Sequence, residues 1–302
     1  MQVFETVPSL GYPTAVALGL FDGIHLGHQR VIQQALAAKA NGLTPVVLSF
    51  DTGKMRPKKK QNLRLLTSSS TKKYLLERMG VPLLVYPDFA ALCRIEPLDF
   101  IEDILFQKLC AKELVCGQDY RFGKHAAGDV QMLSDVSKRA GVRLSVLPTL
   151  MHGERPISSS RIREALAQGD LQTVNGLLGH PFIVDGVVVS GQRLAGIIGF
   201  PTINQVFESE YAIPKYGVYS STVEVQGRDY RAVTNIGMKP TINYKGRPIA
   251  ETHILGFQGN LYGQKLQVRL LSFVRPEQKF ATVSLLQQAI QKDIAQIRKS
   301  GG

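Results

Sequence analysis

One stretch decides how the first half of this chain folds: Ala17-Leu18-Gly19-Leu20-Phe21-Asp22-Gly23-Ile24-His25-Leu26-Gly27-His28. The apolar run from Ala15 to Leu18 leads into it and predicts a buried strand. Apolar residues at helical spacing follow it, from Val31 to Leu36, and predict a helix. A strand, a glycine-bearing turn and a helix together present unpaired backbone N–H groups at the helix start. The stretch therefore predicts a phosphate-binding turn in an α/β domain.

Two histidines stand at the predicted helix start. His25 and His28 are three residues apart, so both side chains can face the same side of the first turn, and Gly27 leaves room for a ligand beside the backbone. Imidazoles beside a triphosphate can donate hydrogen bonds to the charge that develops during displacement at phosphorus. No lysine follows in the spacing of a Walker loop, which excludes a P-loop. The alternative, two solvated histidines in a loop, is disfavoured by the flanking strand and helix.

The rest of the first half continues the same alternation of strands and helices. A helix over 26–40 and a strand over 45–50 complete a βαβ unit. Further predicted elements are strands over 82–86, 113–117 and 142–147, and helices within 63–80 and 97–109. This pattern predicts a parallel sheet whose ligands bind at the carboxyl ends of the strands.

Two later segments also have the character of ligand-binding turns. A loop from Gln118 to Lys124 follows the predicted strand 113–117 and carries Asp119, although an ordinary surface loop would have similar composition. Farther along, serines at 158–160 can cap a helix through their hydroxyl groups. Arg161 and Arg163 then occupy its first turn, where the helix dipole disfavours cations. A bound phosphate would resolve that conflict, whereas two solvated arginines would leave it unresolved.

Bulk composition limits the class of protein. The 302 residues are 44% hydrophobic and 20% charged, as expected for a globular chain with room for two domains. The first residues lack the pattern of a signal peptide, and no apolar run is long enough to span a bilayer. Three cysteines without a CxxC pair suggest reduced thiols, so we expect a cytoplasmic protein. The net charge of +12 favours anionic ligands, which include nucleotides.

The second half changes character after residues 177–182. Short β-branched runs separated by glycine and proline predict strands over 183–190, 217–226, 229–236, 251–257 and 265–273. Such a series favours a small antiparallel barrel. A final helix is predicted over 282–298, with a packing face that includes Val283, Leu285, Ile294 and Ile297. We therefore expect one domain over 1–182 and another over 183–302.

A second candidate site opens the predicted barrel. Glycines at 191 and 199 precede the segment Pro201-Thr202-Ile203-Asn204. Thr202 and Asn204 are two apart, so in an extended segment both oxygens face one side. A hydroxyl and an amide oxygen are hard ligands that suit Mg²⁺, although a turn with a polar strand start would have the same sequence.

These motifs resemble those of one family. Phe21 to His28 is similar to the His-x-Gly-His signature of nucleotidyltransferases, in the form found in bacterial bifunctional riboflavin kinase/FMN adenylyltransferases. Other motifs similar to those of that family follow at 117–123, 157–163, 201–204, 216–219, 235–241, 250–254 and 274–280. The resemblance implies a Rossmann-like α/β nucleotidyltransferase domain with a parallel sheet, followed by a small antiparallel riboflavin kinase β-barrel with a terminal helix.

The resemblance also implies two reactions, both with ATP. The barrel would phosphorylate riboflavin to FMN with Mg²⁺, and the first domain would transfer AMP to FMN, giving FAD and pyrophosphate. Glu251 would be the general base of the kinase, and His25 and His28 would stabilise charge in the adenylyl transfer. Implied ATP-binding residues of the first domain are Gly19, Phe21, Asp22, Gly23, His25, His28, Asp119, Ser159, Ser160 and Arg161. Implied ATP- and flavin-binding residues of the kinase are Gly191, Gly199, Pro201, Thr202, Asn204 and Arg275, with Thr202 and Asn204 as metal ligands.

Two departures from the family pattern leave alternatives open. Asp51-Thr52-Gly53-Lys54 stands where the family has Pro-His-Pro, and Ala195-Gly196 stands where it has Gly-Arg. The first departure motivates a riboflavin kinase with a weak or inactive adenylyltransferase domain. The net charge motivates a regulatory flavin- or RNA-binding protein on the same scaffold. We expect small-molecule partners, namely ATP, riboflavin and FMN, rather than nucleic acid or a membrane. The oligomeric state stays open.

Overall fold

The structure, a computed structural model, describes residues 1–51, 64–190, 199–238 and 246–299. In the first half the strands are β1 Gln2–Phe4, β2 Thr14–Leu18, β3 Thr44–Leu48, β4 Leu83–Val85, β5 Ala111–Gly117, β6 Arg121–Phe122, β7 Gly128–Asp129, β8 Arg143–Leu147, β9 Met151–His152 and β10 Arg155–Pro156. The α-helices are α1 Leu26–Ala37, α2 Ser69–Arg78, α3 Phe89–Leu92, α4 Pro97–Asp99 and α5 Val130–Arg139. A π-helix spans Phe100–Lys108, and 3₁₀ turns span Ala38–Asn41 and Lys124–Ala126.

The second half begins with two helices and continues with strands. The helices are α6 Ser159–Gln168, α7 Leu171–Leu178 and the terminal α8 Val283–Lys299. The strands are β11 Phe182–Val187, β12 Ile203–Val206, β13 Gly217–Val225, β14 Arg228–Met238, β15 Pro248–Ile254 and β16 Lys265–Pro276. Among the residues described, no helix is both long enough and apolar enough to cross a lipid bilayer.

The predicted parallel sheet is confirmed. Over the described part of the first half, six parallel strands lie in the order β1-β4-β3-β2-β5-β8. All five residues of β2 are buried because the sheet is covered on both faces. The strand order turns back between β2 and β5, so a switch point lies at the carboxyl ends of these two neighbours.

Several features of the sheet region were not predicted, among them the helix α5 and the two that follow. The edge strand β1 is only three residues long and pairs with β4, so its short apolar alternation left no periodic signal. The helix expected over 97–109 is present, but its main part is a π-helix that ends with the backbone N–H of Leu109 on the carbonyl of Ile104. Its buried residues, which include Ile101 and Leu105, pack in the core of the first unit.

The chain divides into two compact units, each described here by itself. The first comprises 1–63 and 72–158, and the second comprises 64–71 and 159–302. Helices α6 and α7 thus group with the barrel, where the Asn175 side chain donates to the carbonyls of Leu270 and Leu271. The domain boundary expected between 182 and 183 stays a prediction.

The predicted antiparallel barrel is confirmed. Its six strands, counted over the described residues, lie in the order β11-β16-β13-β14-β15-β12. The barrel is nearly closed, because the Gln205 side chain on β12 donates to the carbonyls of Gly186 and Leu266. Inside it, the hydroxyl groups of Ser221, Thr234 and Thr252 form a chain of hydrogen bonds 2.7 and 2.9 Å long. Neighbours of these residues along each strand therefore face outward.

The terminal helix packs on the outside of the barrel most closely through its last turns. Ile297 is 3% exposed and packs against Val218 and Val233, with Ile294 beside them. Val283 and Leu285 were expected on the same packing face, but they are 52% and 48% exposed. That prediction was wrong because helical spacing identifies a face of the helix, not how far a partner surface extends along it.

Candidate active sites

The two predicted catalytic histidines lie at the start of α1. His25 is the N-cap residue, and its Nδ1 accepts a hydrogen bond from the backbone N–H of His28 at 3.3 Å. The two imidazoles stack with their centroids 3.6 Å apart and their planes 16° apart. Because Nδ1 accepts, neutral His25 carries its proton on Nε2. Both imidazoles therefore lie at the end of α1 where the helix dipole favours anions.

The loop that leads to these histidines has a strained backbone. Phe21 and Ile24 have φ angles of 52° and 43°, in the left-handed region that side chains with a Cβ avoid. Both are 1% exposed, and the edge of the Phe21 ring meets the His28 imidazole 5.4 Å away at 87°. Gly19 is required because a Cβ there would overlap the Phe21 ring. Strain of this kind concentrates at binding sites, where the surroundings over-determine the backbone.

A buried lysine that the sequence analysis did not single out supports this loop. Lys72 is 4% exposed, and its Nζ donates to the carbonyl of Leu20 at 2.7 Å and to Oγ of Ser49 at 3.3 Å. The Ser49 hydroxyl also donates to that carbonyl, at 2.9 Å. The ammonium lies 5.1 Å from the centroid of the Tyr86 ring. Only the folded structure reveals this role, because a single lysine in a helix forms no recognisable sequence motif.

The topology brings most predicted ATP-binding residues of the first unit to one edge of the sheet. Strands β2 and β5 are parallel neighbours, so the loops that follow them leave side by side at the switch point. Asp22, which lies between the strained residues of the first loop, is 3% exposed, and Gly23 has φ 86°. The residues placed at this edge are Gly19, Phe21, Asp22, Gly23, His25, His28 and Asp119.

The second of these loops is packed by its aromatic residues. Phe122 is buried, and its ring lies 5.6 Å from that of Tyr120. Burial, followed by the nearby Cys116, raises the pKa of the Tyr120 hydroxyl above its usual range, so this group stays protonated. Asp119 is exposed, and Arg121 pairs at the surface with Asp129 at 3.3 Å.

The predicted serine and arginine motif begins α6 as expected. Ser159 is the first residue of the helix, followed by Ser160 and the half-buried Arg161. Arg163, in the same turn, donates from Nε to the carbonyl of Arg64 at 2.5 Å. This helix belongs to the second compact unit. Assignment of Ser159, Ser160 and Arg161 to ATP therefore stays a prediction.

Predicted kinase residues share one row on the outer face of the barrel. Asn204 of β12 lies opposite Glu251 of β15, and Glu251 lies opposite Asn235 of β14. Directly opposed residues point to the same face of a sheet, so the three side chains lie next to one another. Asn204 is 4% exposed, and its Oδ1 is buried with no hydrogen-bond partner among the described residues. Such an oxygen is suited to accept a ligand or a cation.

The turn before β12 is held by a histidine that the sequence analysis left without a role. Nδ1 of His253 lies 2.8 Å from the carbonyl oxygen of Pro201. The Phe200 ring meets the same imidazole edge to face, with centroids 5.6 Å apart. Gly199 supplies the positive φ of 89° that begins the turn. Thr202 and Asn204 follow directly, as their predicted role requires.

Arg275 lies at the far end of the same row, opposite Val218. Its guanidinium forms two hydrogen bonds to the Asp293 carboxylate of α8, 2.8 and 3.0 Å long, and lies over the Phe280 ring. We expected it near flavin or phosphate, and that role stays a prediction. Predicted positions outside the described residues are Gly191, the departures at 52–54 and 195–196, and the end of the motif at 239–241.

Comparison with known protein families divides the chain as the two sites do. The family model described as FAD synthetase matches residues 8–161, and the one described as riboflavin kinase matches residues 178–300. A crystal structure from Streptococcus pneumoniae, described as a macrolide-efflux protein, is 28% identical and superposes with a TM-score of 0.83 over 98% of both chains. That likeness shows a shared fold over nearly the whole chain.

Curated relatives match over most of their length. Proteins named bifunctional riboflavin kinase/FMN adenylyltransferase from Bacillus subtilis and Escherichia coli are each 34% identical to this chain, covering 93% and 92% of it and 90% of each relative. The protein of that name from Haemophilus influenzae is 35% identical over 93% of this chain and 92% of its own length. This chain therefore belongs to the family of bifunctional riboflavin kinase/FMN adenylyltransferases.

Proposed function

We infer that the chain phosphorylates riboflavin with ATP to form FMN, and adenylylates FMN with a second ATP to form FAD and pyrophosphate. The observation that carries this conclusion is the match of both family models, in order, to a chain whose two units hold two distinct sites. The alternatives, a kinase with an inactive first domain and a regulatory flavin- or RNA-binding protein, gain no support from relatives named for both activities.

In the kinase reaction we assign the general base to Glu251. Its carboxylate lies in the row between Asn204 and Asn235, on the outer face of β15. There it would accept the proton of the ribityl 5′-hydroxyl as that oxygen attacks the terminal phosphorus of ATP. In phosphoryl transfer most of the rate comes from position and charge, so the main task of Glu251 is to orient the hydroxyl.

Thr202 and Asn204 fit the Mg²⁺ that we propose for this site. The buried Oδ1 of Asn204 needs a partner, and Thr202 adds a hydroxyl oxygen two residues earlier. Both are hard oxygen ligands without charge, which suits an ion that also binds substrate phosphates and water. When bound, the ion supplies positive charge to the phosphates of ATP.

In the adenylyl transfer we assign charge stabilisation to His25 and His28. The phosphate of FMN attacks the α-phosphorus of ATP, the bond between that phosphorus and the α,β-bridging oxygen breaks, and pyrophosphate leaves. His25 caps α1 at its positive end, and the stacked His28 lies beside it, so both imidazoles are placed where a triphosphate would be stabilised. For Arg161 we propose a further contact with the triphosphate, on the strength of its place in the first turn of α6.

We also propose a cytoplasmic location and small-molecule partners. All three cysteines, each within the described residues, are present as thiols, which supports a reducing compartment. The positive net charge suits ATP and FMN, both of which are anions.

The test is to incubate the purified protein with riboflavin, ATP and Mg²⁺ and to separate the flavins by chromatography. We expect FMN first and FAD later, with FAD formed directly when FMN is supplied. FMN without FAD under both conditions would leave a riboflavin kinase with an inactive first domain. No phosphorylation of riboflavin would refute the proposed function of the barrel.

A further inference from the structure

We propose that His253 is a positioning residue of the kinase site, holding the turn that carries the metal-binding oxygens of Thr202 and Asn204. The inference rests on the proposed kinase function and adds a residue to its machinery. Its basis is the 2.8 Å contact between Nδ1 of His253 and the carbonyl oxygen of Pro201.

The geometry defines what His253 does there. A carbonyl oxygen only accepts, so Nδ1 must carry the proton and donate it. The same ring meets Phe200 edge to face at 86°. One imidazole therefore holds two consecutive residues of the turn, the first by an aromatic contact and the second by a hydrogen bond.

The contact with His253 reaches the one backbone group that Pro201 can use. Proline has no N–H, so the carbonyl is the only backbone group through which Pro201 can be anchored. Pairing of β12 with β15 begins one residue after Thr202, at the Ile203–Thr252 pair, and continues with Asn204 opposite Glu251. Thr202 thus lies between an anchor made by His253 and the first rung of the ladder. Its hydroxyl is placed only if both ends are fixed.

The position of His253 also links the metal oxygens to the base. His253 and Glu251 are two apart on β15 and point to the same outer face. Glu251 faces Asn204 across the strands, while His253 reaches the turn before Thr202. One strand thereby sets the distance between the hydroxyl-orienting carboxylate and the metal-binding oxygens. Displacements of about 1 Å in such an arrangement cost up to roughly 10²-fold in rate.

The anchor does not depend on the titration of His253. Both the neutral Nδ1–H tautomer and the imidazolium carry the proton that Pro201 accepts. A positioning role therefore leaves the shape of the pH–rate profile unchanged, whereas a role as proton acceptor from riboflavin would move its acidic limb. The pH profile thus distinguishes positioning from proton transfer.

Two substitutions separate the hydrogen bond from the ring. His253→Asn keeps an N–H donor near the position of Nδ1, and His253→Phe keeps the ring contact with Phe200 but cannot donate. For His253→Phe we expect kcat for FMN formation to fall about 10-fold or more, a higher Mg²⁺ requirement, and an unchanged KM for riboflavin. His253→Asn should stay within a few-fold of wild type. Formation of FAD from supplied FMN should be the same in both variants, which checks that the protein is folded.

A binding measurement tests the metal link without turnover. ADP is titrated calorimetrically into wild type, His253→Phe and Thr202→Ala, with and without Mg²⁺. Thr202→Ala shows how much of the Mg²⁺-dependent gain in ADP affinity is lost when a proposed metal ligand of the barrel is removed. Any binding of ADP to the first unit is common to all three proteins. We expect His253→Phe to lose a large part of that gain.

The outcomes decide between explanations. Wild-type kinetics and Mg²⁺-dependent ADP affinity in His253→Phe would overturn the positioning role. Equal loss in His253→Asn and His253→Phe, with a displaced acidic limb, would overturn it in favour of proton transfer. A wild-type protein that forms no FMN would instead refute the proposed kinase function, which separates the two failures.

Discussion

At the scale of the residue, we propose that the imidazole of His25 has two tasks. Its Nδ1 caps α1 by accepting from the His28 N–H, and the ring lies at the helix start proposed to bind the nucleotide. Histidine is not among the common N-cap residues, which are serine, threonine, aspartate and asparagine. Its presence at this position is what the proposed role in adenylyl transfer would explain.

Substitution of His25 can separate the two tasks. Asparagine is a good N-cap residue without an imidazole, so His25→Asn should keep the free energy of unfolding within about 0.5 kcal/mol of wild type. His25→Ala should lose the cap as well, at a cost of about 1 kcal/mol. Both variants should lose FAD formation about 10²-fold or more, because the donor to the triphosphate is gone. Denaturant titration and flavin chromatography measure the two effects, and an active His25→Asn would remove His25 from the mechanism.

Cys116 provides a test of burial at the end of β5. Burial in the apolar core, and secondarily the negative charge of Asp119, raise the pKa of its thiol to about 12. At pH 8 about one Cys116 in ten thousand is then the reactive thiolate. Iodoacetamide at pH 8 should leave Cys116 unmodified in the native protein while it labels the half-buried Cys93 and Cys110, as read by mass spectrometry of peptides. Guanidinium-unfolded protein is the control, and rapid native labelling of Cys116 would contradict the burial.

At the scale of the element, apolar runs and alternation predicted most of the regular strands nearly at their observed bounds, including β2 and β14, but not β12. A local sequence pattern predicts a strand when the strand is long enough to show the two-residue alternation. It did not find β1, whose three residues are ordered by pairing with β4, and it overestimated the packing face of α8 at Val283 and Leu285. Both errors arise because a partner element decides the outcome, and the partner is not local in sequence.

The ion pair between Arg275 and Asp293 attaches α8 to β16. Asp293 is 4% exposed, and the side chain of Arg275 is 21% exposed, so removal of one partner leaves the other poorly solvated. Asp293→Ala should lower the free energy of unfolding by on the order of 3 kcal/mol. As a control, Glu208→Ala breaks the exposed pair with Arg247 and should cost less than about 1 kcal/mol. Denaturant unfolding measures both, and equal losses would show that Asp293 gains nothing from burial.

At the scale of the whole molecule, motifs located the candidate sites but not the residues that support them. His25, Glu251 and Asn204 stand in recognisable local patterns, so the sequence alone identified them. Lys72 and His253 act by reaching the carbonyls of Leu20 and Pro201, which lie 52 residues away along the chain in both cases. A single lysine or histidine at that separation has no local signature, and only the folded chain reveals the contact.

Two chemistries in one chain should be separable by single substitutions, since Glu251 and His28 lie in different compact units. Glu251→Gln removes the carboxylate that orients the riboflavin hydroxyl, so FMN formation should fall about 10²-fold or more while FAD formation from supplied FMN persists. His28→Ala should show the reverse pattern, because it removes an imidazole from the triphosphate site. The measurement is chromatography of flavins after incubation with ATP and either riboflavin or FMN.

Mixing the two variants supplies the matched control. FMN released by His28→Ala can be used by Glu251→Gln, so the mixture should regain FAD synthesis from riboflavin. Loss of both activities in either variant, with native stability, would contradict two independent sites.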